Sequence, residues 1–277
     1  MLKQRVVTAL VLFAVIVAVL GLGGAAAWGV LMLPVMALAV QEWTQLLQRA
    51  VWPPVLFTLL AAVLYAVLRS AQAPAPFWLI LLLLFGLLLW SGLAIRSLVS
   101  VHPVGRSSWL VGLTLLLLWI SLYELRQAGA SVLLSAMAVV WLADIGAYFT
   151  GRAWGRHKLA PRVSPGKSWE GVWGGAALSV GVALCLALAQ VGQAESACPL
   201  FSTLLAQRLG LAGMVVVLLL LVMLSVTGDL YESLLKRHAG VKDSGCCLPG
   251  HGGMFDRIDA LIPTMPLCLL ILLLVGR

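Results

Sequence analysis

The sequence predicts an all-α, polytopic integral membrane bundle of about nine membrane-spanning helices. Three observations carry that prediction. Of 277 residues, 62% are hydrophobic and only 10% are charged, where soluble domains carry roughly 25% charged residues. Runs such as Leu79–Trp90 and Val215–Leu224 hold no charge at all. The Lys and Arg residues fall unevenly on the two sides that nine crossings would create. A soluble core could not hide this much apolar surface, so the solvent must be lipid.

The segments read, in order, as Val6–Leu22, Ala25–Val40, Val51–Leu68, Phe77–Ile95, Trp109–Tyr123, Ala130–Thr150, Gly171–Ala189, Leu209–Val226 and Ala260–Val275. The first opens with Lys3 and Arg5 and ends near Ala25-Ala26-Ala27, which partly resembles a signal peptide; it reads better as a first spanning helix, because the orientation count needs it. Gly21, Gly23 and Gly24 mark a tight helical hairpin. Trp52, Trp78, Trp90 and Trp109 lie near segment ends, as interfacial anchors do. The ninth segment contains Pro263 and Pro266 and is expected to be broken or only partly spanning. The whole chain, residues 1–277, reads as one membrane domain, with helices in 1–128 and the polar motifs in 129–277.

With the N-terminus in the cytoplasm, Lys3, Arg5, Arg49, Arg96, Arg106, Arg152, Arg156, Lys158, Arg162, Lys167, Lys236, Arg237, Lys242 and Arg257 lie on the inner side, and Arg69, Arg126, Arg208 and Arg277 lie outside. This is the positive-inside pattern. The net charge of +8 is therefore a matter of topology and anionic lipid; no nucleic-acid motif is present. Five cysteines without a C-x-x-C argue against a disulfide framework or a zinc site, and Cys246-Cys247 with His251 fits no common zinc spacing.

Two inner-side loops, Gly151–Glu170 and Gly228–Asp259, concentrate the polar residues. Polar groups are costly in such a chain and need a reason. Asp229, Glu232, Ser233, Lys236 and Arg237 recur at i+3 and i+4, so they share a broad helical face, with Ser225 one turn earlier. A loop with Gly240, Gly245, Gly250, Gly252 and Gly253 follows; glycines let backbone N–H groups approach a phosphate. Asp256 and Asp259, three apart, share a face and suit a hard cation such as Mg²⁺, while Arg257 between them points elsewhere and can neutralise phosphate or lipid charge. The plain alternative is a solvated juxtamembrane loop. Asp144 sits roughly 9 Å inside its helix end at about 1.5 Å per residue. A carboxylate there is unfavourable by around 2.5–3.5 kcal/mol, so it should face a wet cavity or make a packing hydrogen bond. The Arg152–Lys167 loop reads as a clamp on anionic substrate, with Lys167 and Glu170 nearest, or as simple anchoring to anionic lipid. Gly166-Lys167-Ser168 is not a P-loop, since that motif needs glycine where Pro161 stands.

Ser233-x-x-Lys236-Arg237, Lys242-Asp243-x-Gly245, Pro249-Gly250-His251-Gly252-Gly253 and Asp256-Arg257-x-Asp259 together resemble the signature of the phosphatidate cytidylyltransferases, the CDP-diacylglycerol synthases. Asp144-x-Gly146-Ala147-Tyr148 and the run Ser164–Gly171 resemble the family too, with Ser168 in place of the usual threonine. The motif-bearing likeness covers the last half of the chain; the first half is similar only in hydropathy. The resemblance implies transfer of the cytidylyl group of CTP to phosphatidate, Mg²⁺, a cytoplasm-facing site in a bacterial inner membrane and a homodimer. It implies metal binding at Asp229, Asp256 and Asp259, and a nucleotide-phosphate site lined by Ser233 and Lys236. The accompanying roles are phosphate stabilisation by Lys236, Arg237, Lys242 and Arg257, hydrogen bonding to phosphate by His251, and a further catalytic contribution from Asp243. Gly252, Gly253, Asp144, Lys167 and Glu170 are expected along the substrate site. A transporter and a CTP-dependent lipid kinase remain as alternatives. The acids cluster on one side and not at the midplane, which disfavours the transporter; release of CDP in place of diphosphate would mark the kinase.

Overall fold

The computed structural model describes residues 14–70, 77–105, 107–190, 198–247 and 252–276. Residues 14–22 are helical. After them come α1 (Ala25–Leu46), α2 (Trp52–Ser70), α3 (Phe77–Ser100), α4 (Ser108–Ala128), α5 (Ala130–Trp154), β1 (Lys158–Ala160), β2 (Ser164–Ser168), α6 (Trp169–Ala189), α7 (Phe201–Ala239), α8 (Phe255–Ile258) and α9 (Leu261–Val275). Among the described residues, eight helical stretches are long and apolar enough to cross a membrane, α8 and α9 counting together as one. The protein is a multi-pass helical membrane protein. The first part of the expected first segment, residues 6–13, lies outside the described residues, and so does His251.

Helices form because a backbone in lipid must satisfy its own hydrogen bonds. Helix α4 is the central post: it is the most buried of the spans and packs against α1, α2, α3, α5 and α9. Helices α5 and α6 make the most extensive helix pair. Small residues allow that approach: a Cβ at Gly146 would strike the Gly174 carbonyl oxygen, and one at Gly175 would strike the Ala143 carbonyl oxygen. In lipid, close backbone approach of this kind replaces the hydrophobic drive that joins helices in water.

Four differences from the sequence reading bear on function. Helix α1 runs past Val40 to Leu46 and so carries Glu42 into the bundle. The Gly151–Glu170 region is not wholly a loop: β1 and β2 pair antiparallel, Lys158 opposite Ser168 and Ala160 opposite Ser164. Strands of three and five residues around a Pro-containing turn are too short for period-2 alternation to register. Helix α7 begins at Phe201, not near Leu209, and breaks stride at Gly210, whose φ of 72° lies outside the helical region. It then continues beyond Val226 to Ala239, where Gly240 ends it in a left-handed conformation (φ 74°). The ninth segment starts at Phe255: α8 leads almost directly into α9, which accommodates Pro263 in its first turn and Pro266 further in.

Candidate active site

Helix α7 supplies the polar face. Past its apolar half it presents Ser225, Asp229, Glu232, Ser233 and Lys236 at helical spacing. Gly228 lets the α8–α9 junction come close, since a Cβ there would meet the Asp259 carbonyl oxygen and the Ala260 Cα. That approach brings Asp259 against Asp229. Carboxylate oxygens of Asp229, Glu232 and Asp259 lie within 4.8 Å of one another. Asp259 Oδ1 also accepts from the Ala260 N–H at 2.7 Å.

Two lysines face the acids from different elements. Lys236 Nζ lies 2.6 Å from Glu232 Oε2 and 2.8 Å from Asp256 Oδ1. Lys167 Nζ, carried on β2, lies 2.5 Å from Asp229 Oδ2. The β hairpin thus swings a cation onto the α7 face. Ser168, at the end of β2, caps α6 by accepting from the Gly171 N–H at 3.2 Å, so the residue next to Lys167 is buried and fixed by its capping bond. Below the hairpin opens a cavity of about 580 Å³ lined by Asp144, Tyr148, Arg152, Gly166, Lys167 and Asp229, among others. Arg152 donates to the Tyr148 hydroxyl at 2.9 Å within it.

Asp256 adjoins the cluster through Lys236 and Glu232 but is not one of the three acids whose oxygens converge. Its Oδ1 accepts from Lys236, and its Oδ2 accepts from the Ser244 N–H at 3.0 Å and the Gly253 N–H at 2.9 Å. Expected beside Asp229 and Asp259 as a ligand, it ties the glycine loop to Lys236, while Glu232 is the third acid whose oxygens converge with those of Asp229 and Asp259. Spacing alone could not separate these roles, because both acids lie near the same lysine. Glu170 also takes another partner: its carboxylate accepts from the His157 N–H and sits 2.6 Å from His157 Nδ1, bracing the base of the hairpin away from the cavity. Ser233 Oγ makes a long contact of 3.5 Å to Asp229 Oδ1. Arg237, Lys242, Asp243 and Arg257 are exposed. Gly252, at φ +83°, and Gly253 flank the Asp256 carboxylate, Gly253 being buried.

Sequence reasoning passed over Glu42. It is buried on α1, and its Oε2 accepts from Ser244 Oγ at 2.9 Å and from the Phe255 N–H at 2.8 Å. The available signal was an acid at the end of an apolar run. Near it the Cys247 thiol is held above its ordinary value, by burial first and then by the Glu42 carboxylate.

The arrangement concentrates negative charge. Asp229, Glu232, Asp259, Asp256 and Asp144 gather in this region, where Lys167 pairs with Asp229 and Lys236 is shared between Glu232 and Asp256. Glu232 Oε1 and Ser225 Oγ are buried without a hydrogen-bond partner among the described residues. Buried polar atoms in a native site are normally satisfied. Three oxygen donors, an excess of anions and an orphaned carboxylate oxygen are what a hard divalent cation requires, so the residues present fit one.

A family model described as the cytidylyltransferase family matches residues 3–275. The chain belongs to the cytidylyltransferase family. Within it, the chain is 38% identical to a phosphatidate cytidylyltransferase of Pseudomonas aeruginosa over 274 residues, covering 96% of this chain and 95% of that protein. It is 37% identical to one of Haemophilus influenzae over 291 residues, covering 96% of each. A relative of the same name from Brucella suis matches at 45% identity over 139 residues, half of this chain and 46% of that protein. The first two alignments take in the N-terminal helices as well, so cytidylyltransferase likeness is not confined to the motif-bearing half.

Proposed function

We propose that the protein transfers the cytidylyl group of CTP to phosphatidate, giving CDP-diacylglycerol and diphosphate, in phospholipid biosynthesis. One observation carries this reading: in a chain of the cytidylyltransferase family, three acids and two lysines from separate elements converge beside an open cavity. An acyl-transfer or redox enzyme has no use for such a set; an enzyme that joins two phosphorylated reactants does.

The chemistry follows from charge. An oxygen of the phosphatidate phosphate attacks the α-phosphorus of CTP, and the bond from that phosphorus to the oxygen bridging to the β-phosphate breaks, releasing diphosphate. The nucleophile is already ionised, so no strong general base is needed. The barrier lies in bringing anions together and in the charge that grows on the leaving group, which leaves positioning and electrostatics to the protein. Asp229, Glu232 and Asp259 would hold Mg²⁺. When bound, the ion supplies charge neutralisation to the phosphates. Lys236 and Lys167 neutralise phosphate oxygens at the ends of the cluster, each released from its carboxylate partner as cation and substrate enter. Arg152 and Tyr148 line the cavity where a lipid headgroup or nucleotide phosphate can reach Lys167. The glycine loop offers the N–H groups not already spent on Asp256. The site faces the cytoplasm of a bacterial inner membrane, which the basic residues favour, and the protein functions as a homodimer.

Purified protein incubated with phosphatidate, CTP and Mg²⁺ should yield CDP-diacylglycerol and diphosphate in equal amounts. Release of CDP with a doubly phosphorylated lipid would make it a kinase and overturn the reading.

A further inference from the structure

Glu42 belongs to the half of the chain in which sequence analysis found no chemistry, yet it touches the signature loop directly. It is 3% exposed. From its Oε2 a continuous run of bonds leads to the acidic cluster. Ser244 Oγ donates to Glu42 and accepts from the Asp256 N–H at 3.3 Å; the Ser244 N–H donates to Asp256 Oδ2. Asp256 then binds Lys236, which binds Glu232. A second contact runs alongside: Trp43 stacks on Phe255 with ring centroids 4.9 Å apart. The loop is moulded to the carboxylate. A Cβ at Gly245 or Gly253 would collide with Glu42 itself, so two glycines of the signature serve to admit this side chain. The other carboxylate oxygen, Oε1, is buried with no hydrogen-bond partner among the described residues.

We infer that Glu42 is a positioning residue for phosphate transfer: by holding Ser244 and the Phe255 amide it sets Asp256, and through Asp256 it sets the Lys236 ammonium at the acidic cluster. This rests on the cytidylyl-transfer reading. The rival is an anchor for the fold alone, which would lower the folded yield but leave each folded molecule fully active.

The test uses the full chain in detergent or nanodiscs, with kcat normalised to folded protein and amide hydrogen exchange measured without substrate or metal. Glu42→Ala should lower kcat about 10–100-fold, the range for loss of a group that orients a site ligand, with a smaller change in KM for CTP. Glu42→Gln, which keeps a carbonyl acceptor, should restore much of it. Ser244→Ala should resemble Glu42→Ala, and the double variant should be no worse than the poorer single one, since both cut the same chain of contacts. The amides of Ser244, Gly253 and Phe255 should exchange faster in Glu42→Ala. Wild-type kcat per folded Glu42→Ala molecule, or multiplying losses in the double variant, would overturn the inference. Should Glu42→Ala not fold, Ser244→Ala decides: wild-type kcat there overturns it. A wild-type protein that makes no CDP-diacylglycerol sinks the functional reading alone, and the exchange measurement still judges the linkage.

Discussion

Two buried acids, Glu124 and Glu232, are 5% and 2% exposed, and they are satisfied in opposite ways. Glu124 on α4 accepts from the Tyr65 hydroxyl at 2.8 Å and from Arg69 Nε at 2.7 Å, with a further Arg69 bond at 3.2 Å. Both its oxygens are engaged, and one cation meets one anion. Glu232 on α7 shares Lys236 with Asp256, crowds Asp229 and Asp259, and leaves Oε1 without a hydrogen-bond partner among the described residues. The first is a closed knot that joins α2 to α4. The second is a site where three acids crowd together and one lysine is shared between two carboxylates. A membrane protein retains buried charge for structure or for function, and the balance of the cluster tells which.

Breaking each cluster should therefore have different consequences. The largest effect is expected from Asp229→Asn or Asp259→Asn, which should lower kcat about 10²–10³-fold, the range for losing an electrostatic element of a transition state, in protein that still elutes as a folded species. Next, Glu124→Ala removes the buried carboxylate that both Arg69 and Tyr65 bond. It should cost about 3–5 kcal/mol of stability, read from a denaturation midpoint, while kcat per folded molecule stays at the wild-type value. If Glu124→Ala instead slowed turnover in folded protein, the division between knot and site would fail. A third expectation concerns Mg²⁺ without substrate. Saturating the wild type at about 100 times Kd should stabilise it by roughly 2.7 kcal/mol, seen as a rise in Tm, and Glu232→Gln should remove most of that rise; equal shifts in both proteins would take Glu232 out of the metal set. A smaller effect is expected from Gly253→Ala, where the added methyl meets Ser244 Oγ and the Glu42 carboxylate. Overpacking of this kind costs about 1–3 kcal/mol and should show as reduced Tm together with reduced kcat. The smallest belongs to Glu170→Gln. Its His157 partner is 80% exposed, so neither Tm nor kcat should move measurably.

How legible the site was follows from distance along the chain. Asp229, Glu232, Ser233 and Lys236 were recognisable as one face because helical spacing is a local property. The likeness of the last half to a known family placed Asp256 and Asp259 in the same region. Neither source could separate the two aspartates: Asp259 turns toward Asp229 because Gly228 admits the α8–α9 junction, and Asp256 turns toward the glycine loop. The pairing of Lys167 with Asp229 spans about 60 residues and depends on a β hairpin too short to announce itself. Glu42 was the hardest to see, since its partners Ser244 and Phe255 lie more than 200 residues away.

The sequence by itself determined the solvent, the helical class, the approximate spans and the polar region where chemistry belongs. Those follow from composition and from short-range periodicity, which lipid enforces strongly because no backbone group there can turn to water. Only the tertiary structure decided which acids converge, which lysine answers which carboxylate, and that an N-terminal helix reaches into the C-terminal signature. Such choices depend on where helices approach closely enough for side chains to meet, and that is set by small residues and bends whose partners lie far away in the chain.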